Sequence, residues 1–167
     1  MTLQQFNNLT TEQAREELFK CCGCGNWADE LSLLLPFSSV GSLKGVSDEM
    51  WSQCSEKDFL EAFSHHPKIG DVKSLEKKFA STQQWASGEQ AAVSAAPQQV
   101  LEKLAEGNNL YEKKFGYIFI VCATGKSAAE MLDLLNQRLP NSPEQELKIA
   151  ASEQNKITHI RIDKLFA

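Results

Sequence analysis

Helix starts recur along this chain at short intervals, and that punctuation leaves little room for any other kind of fold. The first amides of a helix have no partner within it, so a side-chain oxygen just ahead of an apolar-periodic run marks a beginning. In "TTEQAREELFKC", Thr10 can cap, with Gln13 placed to close a capping box. Asn26 can cap "WADELSLLL", which has to stop near Pro36. Ser47 precedes "DEMWSQC", and Ser55 with Asp58 opens "EKDFLEAF". Val72, Leu75 and Phe79 share one helical face of "DVKSLEKKFAS". From Pro97, "PQQVLEKLAEGNNLYEKKFG" sets Leu101, Leu104, Tyr111 and Phe115 at roughly helical spacing. Ser127 caps "KSAAEMLDLLNQRL", and "SPEQELKIAASEQNKITHIRIDKLF" opens with Ser142 as cap, Pro143 in the first turn and Gln145 to close the box.

One stretch departs from this rhythm. "GYIFIVCATG", Gly116 to Gly125, is a near-continuous apolar run rich in β-branched and aromatic residues. Alone it reads as a buried strand, but no partner strand is evident. The expectation is an all-α domain in which this run is either helical or locally extended inside the core. With 167 residues and 42 % apolar content, the chain suits one compact domain spanning residues 1–167. No repeat, linker or low-complexity tract divides it.

The formal net charge of −5, with no basic stretch interleaved with aromatics, argues against nucleic acid as a partner. No apolar run is long enough to cross a bilayer, and "MTLQQFNNLT" lacks the basic-then-apolar pattern of a secretory signal. The ending "DKLFA" is no peroxisomal address. Five cysteines, an odd number, suggest reduced thiols in a cytoplasmic setting.

Chemistry concentrates in "FLEAFSHHPKIGD", Phe59 to Asp71. Proline at 67 pushes the residue before it out of the α region, so a helix through Phe59, Leu60 and Phe63 ends near His65 or His66. A histidine there projects from a helix end, where the dipole favours the protonated imidazole. Gly70 lets backbone approach a ligand closely. The plain alternative is a helix stop with surface histidines. Glu89 and Gln90, in "WASGEQAAV", read by themselves as a solvated helix face. Arg161 sits among Ile157, Ile160, Leu165 and Phe166 in "KITHIRIDKLF", where an arginine at a core edge can simply snorkel. The thiols of "CCGCG", Cys21 to Gly25, could suggest a soft metal. No second pair stands at zinc-ribbon spacing, however, and Cys54 and Cys122 are isolated. They read instead as small buried apolar groups at a helix end, with Gly23 and Gly25 supplying the stop.

Taken in order, "HPKIGD", "WASGEQ", "KFGYIFIVCATG" and "KITHIRIDKL" resemble the 2-oxo-4-hydroxy-4-carboxy-5-ureidoimidazoline (OHCU) decarboxylases, which act in the ureide pathway from uric acid to allantoin. The resemblance extends over essentially the whole chain, including "FNNLTTEQAREELFKCCG". It implies an all-α fold, a homodimer, and catalysis without metal or organic cofactor. It implies His66 as the catalytic histidine, with Glu89 and Arg161 as its catalytic companions. It further implies a substrate site lined by Pro67, by Ala86, Ser87, Gly88, Glu89 and Gln90, and by Phe119, Ile120, Val121, Cys122 and Ala123, the last five acting largely through backbone. One position departs from the family pattern: the serine three residues before the glutamate is Ala86 here, and Ser87 beside it is the hydroxyl able to take over that contact. Two rival readings stand beside this one. The first is a metal-dependent hydrolase built on His65, His66, Asp71 and a cysteine. The second is a helical interaction module with no catalysis.

Overall fold

The computed structural model describes residues 1–67, 71–77 and 98–167. Every regular element among them is a helix. They run α1 (Leu3–Asn7), α2 (Thr11–Cys22), α3 (Gly25–Ser32), α4 (Val40–Gln53), α5 (Glu56–Ser64), α6 (residues 72–77), α7 (Gln98–Phe115), α8 (Ala128–Arg138) and α9 (Pro143–Leu165). The architecture is all-α. Gly70, Phe79, Trp85, Pro97 and the segment from Ala86 to Gln90 lie outside the described residues.

Most of the helix starts are where the capping chemistry puts them. Thr10 with Gln13, Ser55 with Asp58, and Ser127 with Glu130 form reciprocal capping boxes. Ser142 accepts from the Gln145 amide at the start of α9. Two starts are elsewhere. Cys24, not Asn26, caps α3: it is extended (φ −109°, ψ 118°) and its Sγ accepts from the Trp27 amide at 3.4 Å. The reason is Gly23, whose left-handed backbone (φ 78°) ends α2 so abruptly that the next helix begins at Gly25. Gly25 therefore opens a helix and does not help to stop one. Ser47 is no cap either. Ser39 caps α4, and Ser47 lies inside it, fully buried between Leu43 and Trp51 on one face. Gly41 and Gly45 hide the first half of this helix from a propensity reading.

"GYIFIVCATG" is not helical. Residues 117–123 form neither helix nor strand, and glycines at positive φ close both ends, Gly116 at 83° and Gly125 at 74°.

The chain divides into two compact units, Met1–His66 with Leu147–Ala167, and Pro67–Glu146. In the first, α3 packs against α2, α4 and α5. Phe6, Leu18, Trp27, Leu31, Leu43, Phe63 and Ile162 are almost wholly buried there. The Trp51 indole donates to the Ala151 carbonyl at 2.9 Å, tying α4 to α9.

In the second unit α7 packs on α8 around Leu75, Leu101, Leu104, Tyr111, Met131 and Leu135. The helices approach closely at Gly107, where a Cβ would stand 2.4 Å from Leu135 Cδ2. A buried polar network crosses this apolar core. Arg138 Nε donates to Glu146 Oε1 at 2.6 Å, and Tyr111 and Asn141 donate to the same carboxylate. Burial and the bond to Glu146 push the Tyr111 phenol above its usual range.

A pair this deep is costly to break, because the surviving charge stays out of water. Arg138→Met should lower the unfolding free energy by about 3–5 kcal/mol, read from the midpoint and slope of urea denaturation.

Candidate active site

The last turn of α2 presents carbonyls that no amide of its own helix can reach. Two side chains of α9 supply the missing donors. Gln154 Nε2 donates to the Cys22 carbonyl at 3.3 Å, and Arg161 Nη1 donates to the Cys21 carbonyl at 3.3 Å. Gln154, Thr158 and Arg161 are spaced four and three residues apart, so they share one face of α9. The negative end of the α2 dipole adds to the attraction for the Arg161 guanidinium.

His66 meets the same cluster. Proline at 67 stops α5, which ends at Ser64 with His65 as its C-cap, and the His66 amide still reaches the Phe63 carbonyl at 3.2 Å. The half-buried His66 ring directs Nε2 to within 2.5 Å of Gln154 Oε1. His65 does something different. Its ring packs edge-on against Phe19, centroids 5.1 Å apart, and lies over Gly23. Of the two adjacent histidines, one engages the buried amide and the other covers the α2–α3 turn.

The remaining residues singled out by sequence divide by position. Glu89, with Ala86, Ser87, Gly88 and Gln90, lies outside the described residues. Phe119, Ile120, Val121, Cys122 and Ala123 belong to the second unit, as does Pro67. There the Ile120 carbonyl accepts from Arg138 Nη1 at 2.7 Å, and the Cys122 carbonyl accepts from Lys126 Nζ at 2.8 Å. The Phe119 ring lies under the Arg138 guanidinium, 4.6 Å from its centroid. Two cations thus hold the backbone of a segment that has no ladder or helical hydrogen bonds of its own.

Neither Gln154 nor Arg138 stands out in the sequence. Gln154 sits in a long polar-looking run, and only its spacing to Thr158 and Arg161 hints at a shared polar stripe. Arg138 looks like an ordinary basic residue in a helix's last turn.

Two of the "CCGCG" thiols, Cys21 and Cys22, behave as buried apolar groups, while Cys24 is a polar cap whose pKa a hydrogen bond with Cys54 lowers. Burial pushes Cys21 up to about 11 and Cys22 up to about 12, so both stay protonated at neutral pH. One group among the described residues brings metal-capable donors within 4.8 Å of one another: Cys24, Asp58 and Glu61. Each already has local work. Cys24 caps α3, Asp58 closes the box on Ser55, and Glu61 accepts from the Gly25 amide at 3.1 Å. Asp71, named in the hydrolase reading, caps its own helix through the amide and hydroxyl of Ser74.

An all-α protein with a histidine held at a helix end by a buried amide is the class this geometry defines. The family is specific: residues 7–163 match the OHCU decarboxylase model, and the chain belongs to that family. It is 40 % identical over 159 residues to the uric acid degradation bifunctional protein TTL of Arabidopsis thaliana, a match covering 95 % of this chain and 49 % of that protein. It spans about half or less of that relative and of two Bacillus bifunctional relatives it also matches. A solved OHCU decarboxylase, crystallised in the presence of (S)-allantoin, is 42 % identical with a TM-score of 0.72, covering 90 % of this chain and 97 % of the other. A solved (S)-allantoin synthase shares the fold at 16 % identity and a TM-score of 0.75, covering all of this chain and 54 % of the other.

The turn beneath the histidines admits only glycine at position 23. A Cβ there would stand 3.0 Å from His65 Cβ on a backbone at φ 78°. Gly23→Ala should lower the unfolding free energy by at least about 1–2 kcal/mol, the cost of a left-handed residue with a side chain, measured by urea denaturation.

Proposed function

We propose that this chain decarboxylates 2-oxo-4-hydroxy-4-carboxy-5-ureidoimidazoline to (S)-allantoin in uric acid degradation, without metal or organic cofactor. The carrying observation is the 42 % identity to a solved OHCU decarboxylase across 97 % of that chain. The position of His66 supports it: a ring at a helix end, in hydrogen-bond contact with a buried amide, is suited to proton transfer.

The substrate carries its carboxylate on a ring carbon that also bears a hydroxyl. Loss of carbon dioxide leaves an electron pair on that carbon, and the adjacent unsaturated ring system takes it up as an enolate-like species. The substrate is its own electron sink. What remains for the protein is to favour the developing ring charge over the ground-state carboxylate and to deliver one proton to one face. His66 handles the proton. Glu89 orients His66, and Arg161 turns its planar fork of donors toward the ring oxygens or the ureido group. Pro67, the Ala86–Gln90 segment and the backbone of Phe119 to Ala123 line the substrate. Ile120 and Val121 exclude water and so weaken carboxylate solvation. Ser87 takes the contact that Ala86 lacks the hydroxyl to make.

In this reading residues 1–167 work as one domain, in a homodimer, in the cytoplasm. All five cysteines are free thiols, the state a reducing compartment maintains.

Turnover of freshly generated substrate, followed by circular dichroism, tests the reading. The enzyme should yield the S hand faster than spontaneous decay yields a racemate; an optically silent product formed no faster than without protein would sink it. His66→Asn should cost roughly 10²–10⁴-fold in rate and leave the far-UV spectrum unchanged, while His65→Asn costs far less. If His65 were essential and His66 dispensable, the assignment of the pair would be reversed.

Arg161→Lys provides a separate check. Lysine keeps the charge and loses the fork. kcat/KM should fall while Tm barely moves; unchanged kinetics would leave Arg161 as a helix cap for α2 alone.

A further inference from the structure

Two thiols meet where α3 begins and α4 ends. Cys24, on extended backbone, caps α3, and Cys54, also extended, is the residue on which α4 stops. The Cys54 thiol hydrogen-bonds to the Cys24 sulfur. That bond holds the Cys24 thiol below its usual range and pushes Cys54 above its own, so one proton lost from the pair leaves the other shared between two sulfurs. Cys24 is fully buried and Cys54 is partly exposed, so an oxidant meets Cys54 first, with a second sulfur already in contact. An accessible thiol poised against a resolving one is the arrangement of a redox-sensitive pair. The other cysteines are placed differently. Burial keeps Cys21 and Cys22 protonated, and Cys122 belongs to the second unit. A carboxylate oxygen from each of Asp58 and Glu61 lies within 4.8 Å of the Cys24 sulfur. Their charge disfavours an anionic oxidant such as glutathione disulfide, and the partial exposure of Cys54 disfavours a bulky one. A small neutral peroxide meets both constraints.

We propose that Cys24 and Cys54 are a redox modification site: hydrogen peroxide joins them in a disulfide that slows the site at the end of α5, and a thiol reductant releases it. The Cys54 thiolate attacks one peroxide oxygen, the O–O bond breaks, and Cys54 becomes a sulfenic acid. The departing hydroxide takes the proton left on Cys24 and becomes water. The Cys24 thiolate then attacks the Cys54 sulfur, the S–O bond breaks, and the second hydroxide takes up the proton that the pair first released. Two thiols and one peroxide give one disulfide and two waters, with two electrons passing from sulfur to oxygen. Both cysteines stand at helix caps, so their side chains can close to a bond of about 2 Å without breaking a helical ladder. The bond costs α3 its cap, because Cys24 Sγ leaves the Trp27 amide. It also draws on the turn at Gly23, which seats His65 and follows the Cys22 carbonyl, and ties that turn to the residue before the Ser55 cap of α5. The effect on turnover rests on the decarboxylase reading; the disulfide does not.

The test treats the reduced full chain with hydrogen peroxide, alkylates the remaining thiols and maps the tryptic peptides. Cleavage after Lys20, Lys44 and Lys57 puts Cys24 in residues 21–44 and Cys54 in residues 45–57. These two peptides should appear joined, with fragmentation placing the bond on Cys24, and dithiothreitol should part them. Cys54→Ser should give no cross-link. Cys24→Ser, which keeps a hydroxyl to cap α3, should leave Cys54 to oxidise onward to the sulfinic acid. A bond to Cys21 or Cys22 instead, a Cys54 that peroxide leaves reduced, or sulfinic acid without a cross-link in the unaltered protein would overturn the proposal. kcat/KM for the ureidoimidazoline should fall severalfold in the cross-linked protein and recover with dithiothreitol, while peroxide leaves that of Cys54→Ser unchanged. A cross-link with no effect on kcat/KM would overturn the control of the site. Should the untreated protein show no turnover, the decarboxylase reading fails while the peptide map still decides the disulfide.

Discussion

The carbonyls at the end of α2 are the constraint on which the candidate site depends. A helix that ends on a left-handed glycine turns away at once, so its final carbonyls must be satisfied by groups from elsewhere in the fold. Here those groups are Gln154 and Arg161, two turns apart on α9. The same turn seats His65, because only a residue without Cβ at position 23 leaves room for its ring. The "CCGCG" stretch is therefore the structural floor of the site. The Cys21 and Cys22 thiols are buried and stay protonated, Cys24 caps α3, and the carbonyls and the glycine hold the site.

The second unit solves a similar problem by other means. Residues 117–123 are in neither helix nor strand, so their carbonyls lack ladder or helical partners and draw on donors from side chains. Arg138 takes the Ile120 carbonyl and Lys126 takes that of Cys122. The Glu146 carboxylate balances the Arg138 charge inside the core, and Tyr111 and Asn141 hold that carboxylate in place. A buried ion pair is a weak source of net stability, and here the same guanidinium also fixes the Ile120 carbonyl. That division of labour suits a segment whose backbone, in the proposed function, meets substrate.

What the sequence disclosed follows from what is local. Capping boxes are read from residues a single turn apart, so Thr10, Ser55 and Ser127 identify their helices without any tertiary knowledge. The proline at 67 likewise dictates the end of α5 by sterics alone. The failures share a cause. Cys24 replaced Asn26 as a cap because the left-handed turn at Gly23 compressed the connection. Ser47 looked like a helix start because its burial between Leu43 and Trp51 is decided by neighbouring helices. Gln154 and Arg138 were overlooked for the same reason: each acts on a carbonyl far away in the chain, and a glutamine or arginine carries no mark of its distant partner. The family resemblance supplied His66 and Arg161, but nothing in it pointed to the residue that links the histidine to α2.

The interior of α9 shows why such a helix escapes amphipathic analysis. Glu146, Gln154 and Thr158 are each essentially buried, against the usual preference of these side chains for water. A buried polar side chain without partners is costly, and the cost is avoided only if every donor and acceptor is matched. Glu146 has three donors around it, and Gln154 spends both hydrogens and its oxygen. An apolar residue at either position would fill the space with less to satisfy, and local folding alone would favour it. The polar choice is explained by what lies at the far end of each contact: a backbone segment without helical or ladder hydrogen bonds, reached through Arg138, and the imidazole of His66 with the last carbonyls of α2.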